Sequence, residues 1–148
     1  MSRYYLCFNP LYECIIIVLG YLAAIMILGN DIIEIERIRQ AIERSSSFVE
    51  RVYTPHEIDY CESRNKGRYE SFAGIYAAKE AFIKALGTGM RHGSWQDIEI
   101  YHDELGAPLI RLQDTFKNIY ETLGYTNIHV SISHCKEYAM STVILEGA

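Results

Sequence analysis

The sequence predicts an α+β fold in which a mostly antiparallel sheet packs with helices. Three observations predict it. Short apolar segments come in pairs joined by turn residues, DIEIY and PLIRL around HDELGA, then NIHVSIS and YAMSTVILE around HCKE, and strands joined by so few residues pair antiparallel. Segments with apolar residues at helical spacing fill the interval before these hairpins. No repeat and no interdomain linker interrupts the chain, so the elements share one core.

The elements follow in order. MILGNDIIEI, starting at Met26, alternates as a strand over Ile25 to Ile33, with Ile27, Gly29, Asp31, Ile33 and Ile35 on one side. An aspartate among isoleucines is unusual there. IERIRQAIERS carries Ile35, Ile38 and Ile42 at helical spacing, with its arginines off that stripe. Two capping boxes mark helix starts: Ser47 with Glu50, and Thr54 with Glu57, the second with Pro55 at the first helical position. RNKGR, Arg64 to Arg68, is a short basic loop before the helix in FAGIYAAKEAFIKALGTG, which stops at Gly87 and Gly89. After the first hairpin, DTFKNIYETLG reads as a helix begun by Asp114 and ended by Gly124. His134 lies at the bend of the last hairpin.

The N-terminus is different. CIIIVLGYLAAIMIL, Cys14 to Leu28, is continuously apolar but shorter than the roughly 20 residues that span a bilayer. It lacks the basic leader and small-residue cleavage site of a signal peptide. Three readings stay open: a membrane-tethering extension, an extra buried strand or helix, or an extension upstream of the functional domain. The boundary falls before Met26, giving an apolar extension over 1–25 and a domain over 26–148.

Composition narrows the function. With 148 residues, 49% hydrophobic and 22% charged, the chain can bury a core without disulfides. A net charge of -5 supplies no general basic field for nucleic acid, so an acidic partner would need a local basic patch. Arg37 and Arg44, two helical turns apart, offer one, with Arg39 and Arg51 nearby. Cys7, Cys14, Cys61 and Cys135 have no metal-ligand spacing and read as reduced thiols of a cytoplasmic protein. The histidines form no HExxH pair, which argues against zinc.

Within FAGIYAAKEAFIKALGTG, Ile75, Ala78, Phe82, Ala85 and Leu86 gather on one helical face, with Glu80 opposite and Lys84 one turn on. By spacing alone, these two form an exposed ion pair worth about 0.2–0.5 kcal/mol.

The combination of LGNDIIEI, FAGIYAAKEAFIKALGTG, WQDIEI, GAP and SISH, in this order, resembles the bacterial holo-[acyl-carrier-protein] synthases, the short class of 4'-phosphopantetheinyl transferases. The likeness covers about Met26 to Glu146. It implies the 4'-phosphopantetheinyl transferase fold and transfer of phosphopantetheine from coenzyme A to a serine of apo acyl carrier protein in fatty acid biosynthesis, with release of adenosine 3',5'-bisphosphate. It further implies Mg²⁺ on Asp31 and Glu80, and Lys84 facing the pyrophosphate to stabilise or protonate the leaving group. Glu80 becomes a candidate acceptor for the serine proton. His134, with Lys66 and Arg68 of the basic loop, is implied to bind the coenzyme. Arg37 and Arg44 are implied to dock the acidic carrier protein, and the resemblance also implies a homotrimer with sites between protomers. No nucleic acid or membrane partner is expected.

Two positions depart from the family pattern. Ile27 stands where a glycine is common, and Ile75 where arginine is usual in FAGR-x-AAKEA. The second change removes a candidate phosphate or structural contact, with Arg68 as the candidate replacement. Two other classes stay open: a magnesium-dependent phosphohydrolase acting on the coenzyme pyrophosphate, and a non-catalytic module that binds carrier protein. The simultaneous presence of Asp31, Glu80 and Lys84 disfavours the module.

Overall fold

A computed structural model describes residues 25–91 and 93–147. The apolar extension therefore lies outside the described residues, apart from its last position. In chain order come β1 (Met26–Glu34), α1 (Ile35–Arg44), α2 (Ser46–Val52), α3 (Pro55–Ser63), a single 3₁₀ turn (Asn65–Gly67) and α4 (Arg68–Leu86). A second 3₁₀ turn (Trp95–Asp97) leads into β2 (Ile98–His102), β3 (Pro108–Leu112), α5 (Asp114–Thr122), β4 (Tyr125–His134) and β5 (Tyr138–Gly147).

The α+β expectation holds, and every strand pairing is antiparallel. One sheet has the order β1-β5-β4, and β2 and β3 form a separate hairpin. In the first sheet Asp31 is opposite Ser141, and Ser141 is opposite Ile132. Opposed residues share a face, so Gly29, Asp31 and Ile33 look the same way as Ser141, Ile132 and His134. That face carries α4.

The approach is close. A Cβ on Gly29 would stand 2.0 Å from the Ala81 carbonyl oxygen, and one on Gly74 would meet Ile132 at 2.9 Å. Strand and helix backbones therefore touch, which fixes Asp31 against the C-terminal half of α4. Ile27 is 37% exposed, so Gly29 rather than position 27 sets this packing.

Helix α4 is buried on more sides than the predicted single arc. Ile75, Ala78, Phe82, Ala85 and Leu86 are buried as expected, but so are Phe72, Ala73, Ala77 and Ala81. The sheet covers one flank while α1 and α3 pack on others. Small alanines let these neighbours approach, and the exit is made by Gly87 at φ 75°, whose N–H bonds the Ile83 and Lys84 carbonyls.

The Thr54–Glu57 capping box forms as predicted, with Pro55 opening α3. The Ser47–Glu50 box does not form. Ser45 is extended and serves both as the end of α1 and as the N-cap of α2, so Ser47 is already inside the helix, its hydroxyl 2.7 Å from that of Ser45. Ile35 opens α1 rather than extending β1. Gln113 caps α5, with Asp114 as its first helical residue; Gly124 ends it at φ 77°.

One charged pair lies in the core. Glu57 and Lys79 are fully buried, 2.7 Å apart. The Lys79 ammonium also donates to the carbonyls of Val52 and Trp95. The Glu57 carboxylate accepts from the Ile100 and Thr54 backbone N–H groups. Burial pushes the carboxyl up and the ammonium down, but these hydrogen bonds hold the pair together. The capping residue of α3 thereby ties α3, α4 and β2 to one another.

Candidate active site

Strand β1 and helix α4 bring Asp31, Glu80 and Lys84 together. Lys84 Nζ is 2.7 Å from Asp31 Oδ1, across 53 residues of sequence, and donates also to the Asn30 carbonyl at 3.2 Å. The aspartate is 12% exposed and the lysine 51%, so the ammonium head stays reachable while its partner is held on the strand. The surface Glu80–Lys84 ion pair predicted by spacing is not what forms. Glu80 instead accepts from the Tyr76 hydroxyl at 3.4 Å, and Lys84 turns to the strand.

Glu80 is half-buried, and burial raises its carboxyl above the usual range. The Asp31 carboxylate raises it further, while Lys84 and the Tyr76 hydroxyl oppose. The two carboxylates therefore share one site, and placing them together costs electrostatic energy that a cation would relieve. Tyr76 stacks on Trp95 with ring centroids 5.2 Å apart. Burial raises the Tyr76 phenol, and the charge of Arg37 on α1 lowers it, so that arginine faces the same corner.

Two hard carboxylate oxygens side by side suit Mg²⁺, which takes one or two protein carboxylates and fills its octahedron with water and phosphate oxygens. Among the described residues no group of three or more His, Cys, Asp or Glu gathers into a closed metal cage. Asp31 and Glu80 are the residues that would hold the ion.

His134 is placed elsewhere. It lines a cleft of about 170 Å³ with Tyr60, Arg64, Glu70, Ile75 and His102, and none of Asp31, Glu80 or Lys84 reaches it. Two separate half-sites thus lie along α4, one at each end. Of the basic loop, Lys66 is exposed, and Arg68 is paired with Glu62 at 2.6 Å while lying over the Tyr69 ring. Arg37 and Arg44 are exposed on α1, and Arg39 between them is held by Glu36 at 2.7 Å and Glu43 at 3.2 Å. The adjacent Glu36 carboxyl is pulled down to about 2 by its hydrogen bonds to Arg39.

Sequence reasoning passed over Tyr76 and His102, and took Arg64 only as the first residue of the basic loop. The spacing of Tyr60 and Arg64, one helical turn apart, was the available signal for a shared face.

A sequence model of the 4'-phosphopantetheinyl transferase superfamily matches residues 27–143, a span that contains both half-sites. The chain belongs to this superfamily. The holo-[acyl-carrier-protein] synthase of Ruminiclostridium cellulolyticum is 48% identical over 122 residues, covering 81% of this chain and 91% of that relative. Among solved structures, Helicobacter pylori holo-[acyl-carrier-protein] synthase in complex with coenzyme A superposes with a TM-score of 0.69 at 35% identity, covering 80% of this chain and 98% of that one. A holo-(acyl-carrier-protein) synthase from Bacillus anthracis str. Ames, in complex with CoA (3',5'-ADP), gives 0.68 at 35% identity, with 85% and 100% covered. The superfamily match therefore spans all the described helices and all but the outer ends of β1 and β5.

Proposed function

We propose that this chain moves the 4'-phosphopantetheine group of coenzyme A onto a serine of apo acyl carrier protein, releasing adenosine 3',5'-bisphosphate, in fatty acid biosynthesis in the cytoplasm. The observation that carries the proposal is the meeting of Asp31, Glu80 and Lys84 across β1 and α4. The holo-[acyl-carrier-protein] synthase relatives and the coenzyme A bound in a solved one support it.

In this reading the serine oxygen attacks the phosphorus that carries the pantetheine arm, and the P–O bond to adenosine 3',5'-bisphosphate breaks. Glu80, directly or through a water, takes the serine proton. Lys84 sets its ammonium against the departing phosphate, where fixed charge lowers the barrier most. Asp31 positions Lys84 through their 2.7 Å contact. Mg²⁺ held by Asp31 and Glu80 would neutralise charge on the pyrophosphate.

Arg37 and Arg44 form the proposed docking stripe for the acidic carrier protein, leading toward the Tyr76–Glu80 corner. A homotrimer with sites between protomers accounts for two further features. His134 stands apart from the acidic corner, and the sheet face turned away from α4 exposes Leu28 at 60%, Ile32 at 61% and Met140 at 40%, an apolar area suited to burial against another copy.

The test is intact-mass spectrometry of apo carrier protein after incubation with this protein, coenzyme A and Mg²⁺. A phosphopantetheine adduct is expected. Free phosphopantetheine without an adduct would assign hydrolysis instead, and no change in either would leave only a binding module.

A further inference from the structure

We propose that Arg64, backed by His102 and His134, binds the 3'-phosphate of coenzyme A in place of the arginine that this chain lacks at position 75. The inference rests on the transfer reading, which makes coenzyme A the ligand. Ile75 lines the cleft beside His134 but offers no donor to an anion. Of the two arginines bounding the preceding basic loop, Arg68 is bound by Glu62. Arg64 makes no ion pair among the described residues, and its guanidinium lies 5.6 Å from the centre of the Tyr60 ring.

The ring beneath it continues the site. Tyr60 stacks on His102 with centroids 4.1 Å apart and planes 16° from parallel, so the ring that Arg64 lies over also contacts the cleft histidine. His134 lines the cleft from β4 and Ile75 from α4. The Arg64 backbone is fixed, because its N–H donates to the Cys61 carbonyl and its carbonyl accepts from the Gly67 N–H. Arg64 is exposed, and a guanidinium suits phosphate because its planar fork can donate two hydrogen bonds to one group.

The cleft contains one carboxylate, Glu70. A bare anion would meet repulsion from it, whereas a ligand that brings both a phosphate and N–H donors would satisfy both signs. The adenosine 3'-phosphate end of coenzyme A has that character. A volume of about 170 Å³ is below the roughly 300–1,000 Å³ of sites that enclose a drug-sized ligand, so the cleft fits a terminal group rather than the whole coenzyme.

The experiment measures calorimetric Kd values for adenosine 3',5'-bisphosphate and for AMP with the wild-type chain, Arg64→Gln and Arg68→Gln, each checked for folding by thermal melting. Losing one charge-assisted contact to phosphate weakens binding by about tenfold or more. Wild type should prefer the bisphosphate by at least that factor, Arg64→Gln should lose the preference with AMP binding unchanged, and Arg68→Gln should keep it. Retention of the preference in Arg64→Gln, its loss in Arg68→Gln alone, or its absence from wild type would overturn the assignment. Because binding is read without turnover, a chain that shows the Arg64-dependent preference but transfers nothing would defeat the transferase proposal and leave the anion site standing. A chain that transfers normally with a preference indifferent to Arg64 would do the reverse.

Discussion

Lys79 and Glu80 are neighbours in the chain and serve different halves of the molecule. The Lys79 ammonium is fully buried on Glu57, while the Glu80 carboxylate turns to the corner shared with Asp31 and Tyr76. Successive helical residues point about 100° apart, which is enough to send one charge into the core and the next toward the site. Within the KEA stretch, the lysine holds the fold and the glutamate is the residue proposed for chemistry.

Lys79→Met should therefore cost stability rather than chemistry. Removing one partner of a buried, hydrogen-bonded pair costs about 3–5 kcal/mol, because the other charge is left unpaired. Urea unfolding is expected to show a loss of that order, partly recovered in Lys79→Met combined with Glu57→Gln. A loss below about 1 kcal/mol would mean that the pair does not bind α3 to α4.

Gly29→Ala tests how Asp31 is placed. Its new methyl would collide with the Ala81 carbonyl at 2.0 Å, and backbone cannot yield as a side chain end can. Overpacking typically costs about 1–3 kcal/mol; the upper end is expected here, with transfer falling as β1 shifts from α4. Ile27→Ala, on the same face but 37% exposed, should change stability by less than about 1 kcal/mol. Equal effects at the two positions would contradict the close approach.

The sequence made the hairpins, the Thr54 capping box and the Gly87 stop legible because each is a local pattern. It did not make the Glu57–Lys79 pair legible: Glu57 already had a local role as a capping residue, and a lysine in a helical stretch counts as polar whatever it meets. Nor could spacing tell that Lys84 would leave Glu80 for Asp31, since that choice depends on a strand 53 residues away. Asp31, Glu80 and Lys84 were found through the family pattern, whereas Arg64, one residue of a basic loop in the sequence, was set apart from Arg68 only by the cleft.

Arg44→Glu reads carrier docking without touching the acidic corner, which Arg37 also faces. Reversing one charge of a docking stripe slows electrostatically assisted association. kcat/KM for carrier protein should fall by about tenfold at low salt, and the wild-type rate should fall more steeply with added salt than the variant rate. Identical rates and salt slopes would remove this helix from the docking surface.

His102 should titrate below the ordinary imidazole value of 6.5. Burial is the main cause, with the charges of Arg64 and His56 adding to it and Asp103 opposing; Tyr60, Glu70 and His134 complete its surroundings. Since folding depresses this pKa, the neutral form's contribution to stability is full above pH 6.5. It is lost as the pH falls through the folded value. An NMR titration of the His102 ring should place its midpoint below 6.5 in the free protein and higher with adenosine 3',5'-bisphosphate bound. A free-state midpoint above 6.5 would be incompatible with this environment.

The corner formed by Asp31, Glu80 and Lys84 is tested most directly by intact-mass spectrometry of apo acyl carrier protein incubated with coenzyme A and Mg²⁺ and either wild-type protein or Glu80→Gln. Wild type should add phosphopantetheine, and the variant, still folded by circular dichroism, should slow the addition by at least about 100-fold, the low end of what a positioned proton acceptor contributes. A folded Glu80→Gln protein that modifies the carrier at the wild-type rate would contradict the assignment of this corner as the reaction centre.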